Sequence, residues 1–219
     1  MINLLKDGFH RNTWWSRLLF CSLIPAASLI YVLCNQIAAA GGSYLILTFP
    51  VDDLIPFVSV FVIPYVYWYL LIAWSALWLV FSKRTGRLLH RMVTSIALAS
   101  LIAAVFYLAM PTRMIRIELD GSDFLTRMVR LIYESDLPYN CFPSMHVAWS
   151  MIICRYMELA GPKRLWFRLL NYGGVLLIIA STVLIKQHYT PDILGGAAVA
   201  VLACVLSDCL FRIFKAPVS

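Results

Sequence analysis

The stretch Asn140-Cys141-Phe142-Pro143-Ser144-Met145-His146 stands directly before an apolar run, residues 147–159. Proline suits the first turn of a helix, where its missing N–H is no loss, so Pro143 predicts the start of a membrane-spanning helix. A second polar stretch, His188-Tyr189-Thr190-Pro191-Asp192, precedes the last apolar run in the same way. Polar groups at membrane depth are costly and usually functional, so we expect the two stretches to meet and form one phosphate-handling site.

Apolar runs dominate the rest of the chain, and six of them reach or approach the roughly 20 residues that a membrane span needs. They cover residues 18–40, 54–81, 92–110, 147–159 (extended through the Pro143 region), 169–185 and 193–213. The 219 residues are 62% hydrophobic and 13% charged, and the charged share is about half that of a soluble domain. The sequence therefore predicts an all-α integral membrane bundle of six transmembrane helices, forming one domain over residues 1–219 in the lipid bilayer.

The net charge of +7 comes from short basic clusters between the apolar runs. This pattern sets membrane orientation and does not suggest a nucleic-acid partner. The third connection has four arginines offset by five acids, and Lys186 lies next to the second polar stretch; the other basic residues are Lys6, Arg11 and Arg17; Lys83, Arg84, Arg87 and Arg91; Arg155, Lys163, Arg164 and Arg168; Arg212 and Lys215. Six spans place all of these other basic residues on one side, the cytoplasmic side, and both polar stretches on the outer side. We expect the cytoplasmic membrane of a bacterium, with the active site facing the periplasm or outside; a eukaryotic internal membrane is the alternative.

The third connection, residues 111–142, is too long to be a bare turn. Its residues 122–134 predict an amphipathic helix with Ser122 as N-cap and Asp123 in the first turn. We expect this helix to lie in the membrane interface or to pack over the bundle, with a substrate-binding role as the alternative. In the first connection, Asp52 and Asp53 are expected to be solvated loop acids.

The two polar stretches together provide the groups that displacement at phosphorus requires. A helix N-terminus attracts phosphate, and two such ends lie beside two histidines. His188 and Asp192 are four residues apart, so the carboxylate can bond one ring nitrogen and leave the other to attack phosphorus. His146 can then donate a proton to the leaving oxygen.

Four further side chains are candidate phosphate ligands, and each has a second interpretation. Ser144 would bind a phosphoryl oxygen or only cap its helix. Arg113 and Arg116 would hold phosphoryl oxygens in fork geometry or contact lipid head groups at the interface. Lys186 would do likewise or snorkel at the end of a span.

A metal site is the chemical rival, because two histidines and a carboxylate can form a metal-binding face. Its ligands would be His146, His188 and Asp192. The nearby arginines and helix ends favour an anion over a cation, so we expect no metal and no cofactor.

The two polar stretches together resemble the sequence signatures of a known family. Pro143-Ser144-Met145-His146, followed by Ser181, His188, Asp192 and Gly195, resembles the second and third signatures of the type 2 phosphatidic acid phosphatase superfamily. This resemblance covers roughly residues 111–196. It implies that His188 is the nucleophile that forms a phosphohistidine, Asp192 its orienting partner and His146 the general acid, with Ser144 on a phosphoryl oxygen.

The chain also departs from that family pattern. Thr182 stands where the third signature has arginine. In the first signature, Lys-x6-Arg-Pro, Arg116 stands for the arginine, but Ile117 replaces the proline and Ala109 the lysine. With Lys186-Gln187-His188-Tyr189, the chain is more similar to the inositol-phosphotransferase and sphingomyelin-synthase branch, which passes a head-group phosphate to a lipid alcohol.

We therefore expect a metal-independent enzyme that acts on a membrane lipid phosphate. Hydrolysis would make it a lipid phosphate phosphatase. Transfer to a lipid alcohol would make it a head-group phosphotransferase similar to inositol phosphorylceramide synthase. A non-catalytic transporter or scaffold for anionic lipid is the alternative from another class, and it predicts that replacing His188 leaves function intact.

Overall fold

The computed structural model describes residues 13–82 and 86–213, and in these ranges it contains helices and two isolated bridges but no β-strand. The α-helices are α1 Trp14–Cys21, α2 Leu23–Gly41, α3 Val62–Phe81, α4 Gly86–Ala109, α5 Phe124–Ser135, α6 Met145–Ala160, α7 Leu165–Leu184 and α8 Thr190–Ile213. Two short 3₁₀ helices, Pro50–Leu54 and Ser59–Phe61, precede α3. The predicted all-α class is confirmed.

Five helical segments are long and apolar enough to cross a membrane. They are Trp14–Gly41, Ser59–Phe81, Gly86–Ala109, Leu165–Leu184 and Thr190–Ile213. By length and composition these match five of the six predicted spans. The sixth prediction concerned α6, which has 16 residues and is therefore only about 24 Å long. A count of six stays a prediction.

The short helix α6 occupies the centre of the bundle. It packs on α3, α4, α7 and α8, and most of its side chains, including Trp149, Ile153 and Tyr156, are buried. Small residues on its neighbours, such as Ala103 of α4 and Ala203 of α8, permit close approach and are themselves fully buried. A helix that its neighbours enclose in this way presents little surface to lipid.

Both predicted helix starts are present, each shifted by one or two residues. Pro191 was predicted to open the last helix with Thr190 as its cap, but α8 begins at Thr190 and Pro191 is its second residue. By contrast, α6 begins at Met145 with Ser144 as its N-cap, so Pro143 precedes the helix and does not open it. The N-cap geometry decides this: the Ser144 backbone is extended and its hydroxyl accepts the N–H of Val147.

The third connection does contain the expected amphipathic helix, α5. Its N-cap is Asp123 and not Ser122, because the Asp123 carboxylate accepts the N–H groups of Leu125 and Thr126 at 3.0 and 3.1 Å. The apolar face of α5 packs through Val129 on the start of α3 and the end of α7. This packing places the loop that follows α5 over the bundle.

The expectation that Asp52 is a solvated loop acid is wrong, because Asp52 is buried. Its neighbour Asp53 is exposed, as expected. The two carboxylate oxygens of Asp52 accept the N–H and the hydroxyl of Thr190 at 2.8 and 3.0 Å. Asp52 therefore caps α8 from the first connection. Among the residues used to predict orientation, Lys6, Arg11, Lys83, Arg84 and Lys215 lie outside the described residues.

Candidate active site

His188 and Asp192 form the pair that their spacing predicts. Nδ1 of His188 lies 3.1 Å from Oδ2 of Asp192, and the same oxygen accepts the N–H of Tyr189 at 3.0 Å. Asp192 lies in the first turn of α8, and His188 lies in the turn just before that helix; both are buried. The carboxylate fixes the imidazole and leaves Nε2 as the second ring nitrogen.

The turn that bears His188 is closed by backbone hydrogen bonds. The carbonyl of Thr182 accepts the N–H groups of Gln187 and His188 at 2.9 and 3.0 Å. Lys186 adopts a left-handed backbone, with φ of 54°. Thr182, at the position where the third signature has arginine, is fully buried and gives its hydroxyl to the carbonyl of Ile179.

His146 lies beside His188, and the ring centroids are 5.7 Å apart. Two aromatic side chains of α3 hold the His146 ring, with centroid distances of 4.6 Å to Tyr65 and 4.3 Å to Trp68. Nε2 of His146 is buried and has no hydrogen-bond partner within the described ranges. This nitrogen is available to a substrate.

The starts of α6 and α8 are bonded to each other. The N–H of Ser144 donates to the backbone carbonyl of Asp192 at 3.0 Å. Next to this bond, Gly196 faces Ser144 and Val147 so closely that a methyl group would not fit. The prediction that the two polar stretches meet is confirmed.

Ser144 is fully buried, and its hydroxyl accepts the N–H of Val147 at 3.4 Å as the cap of α6. It does not belong to the wall of the cavity beside the histidines. Ser144 therefore caps α6 in the structure, and its contact with a phosphoryl oxygen stays a prediction.

The three predicted cationic ligands all have protein partners. Arg116 donates to the carbonyls of Tyr133 and Asp136 at 2.6 and 2.8 Å. Arg113 donates to the hydroxyl of Tyr44 at 2.8 Å, and Lys186 donates to the carbonyl of Ile55. None of the three lines the cavity, so their phosphate-binding roles stay predictions.

A cavity of about 320 Å³ opens beside the two histidines. Its wall is mainly apolar and aromatic. It is lined by Ala27, Ser28, Ile30, Tyr31, Val32, Trp68, Tyr69, Ser100, Tyr107, Ser135, Asp136, Asn140, Met145, His146, Trp149 and His188. Neither lysine nor arginine occurs among these lining residues. The shape and composition fit an amphiphile with a polar end at the imidazoles.

Asp136 is a polar cavity residue that the sequence does not predict. Its Oδ1 accepts the hydroxyl of Tyr31 at 2.9 Å and Nδ2 of Asn35 at 3.3 Å. Burial raises the pKa of Asp136 above its ordinary value, against the opposing effects of Tyr31, Arg116 and His188. The long third connection carries five acids, and its sequence does not single this one out.

Asn140 also lines the cavity and was not predicted to do so, although it begins the polar stretch that ends at His146. It is 1% exposed, its φ is 52°, and its N–H donates to the carbonyl of Thr112 at 2.7 Å. Neither Nδ2 nor Oδ1 of its side chain has a hydrogen-bond partner among the described residues. Asparagine is common in loops, so its presence in the sequence predicts no role. Only the burial of a side chain without hydrogen-bond partners distinguishes Asn140.

Among the described residues, one group of side chains could hold a metal ion. The ligand atoms of Cys141, His188 and Asp192 all lie within 4.8 Å of one another. This group contains Cys141 in place of His146, so it differs from the predicted two-histidine face. A cysteine binds metal as thiolate, and burial raises the pKa of Cys141 well above its ordinary value, which opposes that form.

Comparison with known families agrees with this geometry. The model of the PAP2 superfamily matches residues 51–206, which include His146, His188 and Asp192. The chain belongs to the PAP2 superfamily. The family assignment supports the predicted phosphatase or phosphotransferase activity and agrees with the apolar helices of a membrane protein.

A relative of this PAP2 superfamily member is the inositol phosphorylceramide synthase catalytic subunit aur1 of Schizosaccharomyces pombe. The two sequences are 29% identical over 75 residues. That match covers 34% of this chain and 17% of the yeast protein. No solved structure matches the chain.

Proposed function

We propose that this PAP2 protein is a membrane lipid phosphate phosphatase that acts through a phosphohistidine on His188. The observation that carries the proposal is the pairing of His188 with Asp192, 3.1 Å apart, beside His146 and a mainly apolar cavity. The whole chain would form one domain of six spans in a bacterial cytoplasmic membrane. The cavity would face the extracytoplasmic side.

The first step of the reaction uses both histidines. Nε2 of His188 attacks the phosphorus of the lipid phosphate, a P–N bond forms and the P–O bond to the lipid breaks. His146, in its protonated form, gives its proton to the departing alkoxide, which leaves as a lipid alcohol. Asp192 holds the tautomer of His188 and stabilises the positive charge that develops on its ring.

The second step returns the enzyme to its starting state. Neutral His146 takes a proton from water as the water oxygen attacks the phosphorus of the phosphohistidine. The P–N bond breaks, inorganic phosphate leaves, and His188 is neutral again. The residues that carry both steps are the same, which is why the reaction needs no further side chain for proton transfer.

The yeast relative favours a second candidate function, in which a lipid alcohol replaces water in the second step. That protein is named for the synthesis of inositol phosphorylceramide, which is a head-group transfer. The aromatic wall of the cavity, including Tyr69 and Trp149, suits the apolar part of such an acceptor. Adding a diacylglycerol or ceramide to the assay and separating inorganic phosphate from phosphorylated lipid distinguishes the two functions.

The test uses purified protein in detergent with a panel of ³²P-labelled lipid phosphates. We expect turnover and an acid-labile, alkali-stable phosphoprotein, both abolished in His188→Ala. Asp192→Asn should lower turnover by about 100-fold or more, because the neutral amide neither fixes the tautomer nor balances the developing charge. Turnover that survives in His188→Ala would overturn the phosphohistidine mechanism. A wild type that binds lipid phosphate without turnover, with binding unchanged in His188→Ala, would instead favour a non-catalytic lipid transporter or scaffold.

Two further variants of the assay separate the remaining alternatives. With p-nitrophenyl phosphate, whose leaving group needs no proton, His146→Gln should still form the phosphoprotein but should release it slowly. A chelator should leave turnover unchanged. Loss of activity with the chelator, restored by Zn²⁺, would instead support a metal at Cys141, His188 and Asp192.

A further inference from the structure

Asn140 has a buried side chain that satisfies neither its donor nor its acceptor. The residue is 1% exposed, and within the described part of the chain no group bonds its Nδ2 or its Oδ1. Buried amides are nearly always hydrogen-bonded in folded proteins. An amide that lines a cavity and lacks partners is therefore placed to bond whatever occupies that cavity.

The position of Asn140 is held by its backbone. Its N–H donates to the carbonyl of Thr112 at 2.7 Å, and the N–H of Phe142 donates to the Thr112 hydroxyl at 2.9 Å. The left-handed φ of 52° is unfavourable for most residues with a side chain. The loop thus keeps an asparagine in a constrained conformation on the same cavity wall as His146 and His188.

The charges around the cavity explain why a neutral donor is needed there. Arg113, Arg116 and Lys186 have protein partners and do not line the cavity. The arginine of the third family signature is Thr182, which is fully buried and bonds its own helix. A phosphoryl group bonded to His188 would therefore meet no lysine or arginine among the described lining residues.

We propose that Nδ2 of Asn140 donates a hydrogen bond to a non-bridging phosphoryl oxygen of the substrate and of the transition state. The inference rests on the proposed reaction at His188. It assigns to a neutral amide the role that cations have in the family signatures. A fixed donor in a site that excludes water stabilises developing charge without reorganisation.

The left-handed backbone allows a clean test. Glycine and aspartate both tolerate φ of 52°, whereas alanine does not. Asn140→Gly therefore removes the amide without straining the loop, and Asn140→Asp keeps the shape but replaces a donor with a charged acceptor. Thermal unfolding of Asn140→Gly should match the wild type, which separates a binding role from a structural one.

We expect Asn140→Gly to lower kcat/KM on the best lipid phosphate by about 100-fold, mainly through kcat, as the loss of one oxyanion donor does. Asn140→Asp should lose at least as much and should no longer be inhibited by orthovanadate. The inference is overturned if Asn140→Gly keeps kcat/KM and vanadate inhibition within about threefold of the wild type.

A separate measurement distinguishes failure of this inference from failure of the proposed function. Orthovanadate binding is followed by the shift in unfolding temperature of wild type, Asn140→Gly and Asn140→Asp. An inactive wild type would end the proposed phosphatase, yet a vanadate shift lost in both variants would still support the Asn140 ligand. An equal shift in all three proteins, or no shift in any, would overturn it.

Discussion

The guanidinium group of Arg116 donates a 2.8 Å hydrogen bond to the side-chain oxygen of Gln187, the residue before His188. It also bonds the carbonyls of Tyr133 and Asp136 and lies over the Tyr133 ring, 4.5 Å from its centroid. One side chain thus joins helix α5, the loop after it and the turn that holds His188. We therefore expect Arg116 to act by holding the turn that bears His188 in position.

Arg116→Lys should therefore lower both stability and turnover. A lysine ammonium lacks the planar fork that reaches three acceptors at once. We expect kcat to fall by about tenfold with KM little changed, because His188 shifts and the phosphate contacts do not. The effect should be less than additive with Gln187→Ala, since both changes break the same hydrogen bond.

Arg113→Lys is the matched control for that prediction. Arg113 donates to the Tyr44 hydroxyl and lies over the rings of Tyr44 and Tyr139, and neither tyrosine belongs to the turn before α8. Its replacement should leave kcat and KM within about threefold of the wild type. A large rise in KM for Arg116→Lys or Arg113→Lys would instead support the direct phosphate contact that the sequence suggested.

Local spacing explains which parts of the site the sequence predicts well. His188 and Asp192 are four residues apart, so their contact depends on one turn of chain. The positions of Thr190 and Pro191 likewise predict a helix start without knowledge of the fold. The meeting of His146 and His188 followed from the cost of burying two polar stretches separately.

Long-range contacts explain what the sequence analysis missed. Asp52 and Thr190 are 138 positions apart, so nothing near Asp52 indicates that it caps a helix. The path of the third connection, which brings Asp136 and Asn140 to the cavity, has no periodicity to predict it. Arg113 and Arg116 are recognisable as cations, but their partners are backbone carbonyls, tyrosines and the Gln187 side chain, which only the folded chain brings near.

Asp52→Ala should destabilise the protein by about 1–2 kcal/mol, as the loss of a helix cap does. The carboxylate holds the N–H and hydroxyl of Thr190, so the variant frees the first residue of α8. The free energy of unfolding, measured by denaturant titration in micelles, checks this. Asp53→Ala removes an exposed neighbouring acid and should change stability by no more than about 0.5 kcal/mol.

Gly196→Ala should destabilise the protein by about 1–3 kcal/mol and impair turnover. The added methyl group would meet the backbone carbonyl of Ser144 and lie 2.9 Å from Cβ of Val147. Because backbone cannot yield as a side chain can, α8 must move away from the start of α6 and carry Asp192 away from His146. Unfolding and kcat should change together.

The control for Gly196 is another helical glycine, Gly173 of α7, where an added methyl group meets nothing within 4 Å. Gly173→Ala should leave turnover unchanged and stabilise the protein by up to about 1 kcal/mol, because alanine has the better helix propensity. If the two substitutions change the free energy of unfolding and turnover equally, the close contact between α8 and α6 does not contribute to stability.

Asp136 makes the stability of the protein depend on pH in a defined direction. Burial raises the pKa of its carboxyl in the folded state, so the folded protein binds this proton more tightly than the unfolded chain. The stability that protonated Asp136 contributes is fully present at pH values below the carboxyl pKa in the unfolded chain, about 3.9. It is lost as pH rises through the carboxyl pKa in the folded protein. Once this carboxyl ionises, the folded state carries a partly buried charge.

Asp136→Asn should remove the loss of stability that Asp136 causes as pH rises. The amide oxygen can still accept the Tyr31 hydroxyl, and the amide carries no charge. We expect the variant to gain stability relative to the wild type as pH rises through the folded pKa. Asp123→Asn is the control of opposite sign, since hydrogen bonds from Thr126 lower the pKa of that exposed carboxyl. Its loss of stability should be present at neutral pH and should vanish as pH falls through the lowered pKa. Unfolding measured from pH 3 to pH 8 checks both directions, and an Asp136→Asn variant less stable than wild type at neutral pH would show that Arg116 and His188 outweigh the cost of burial.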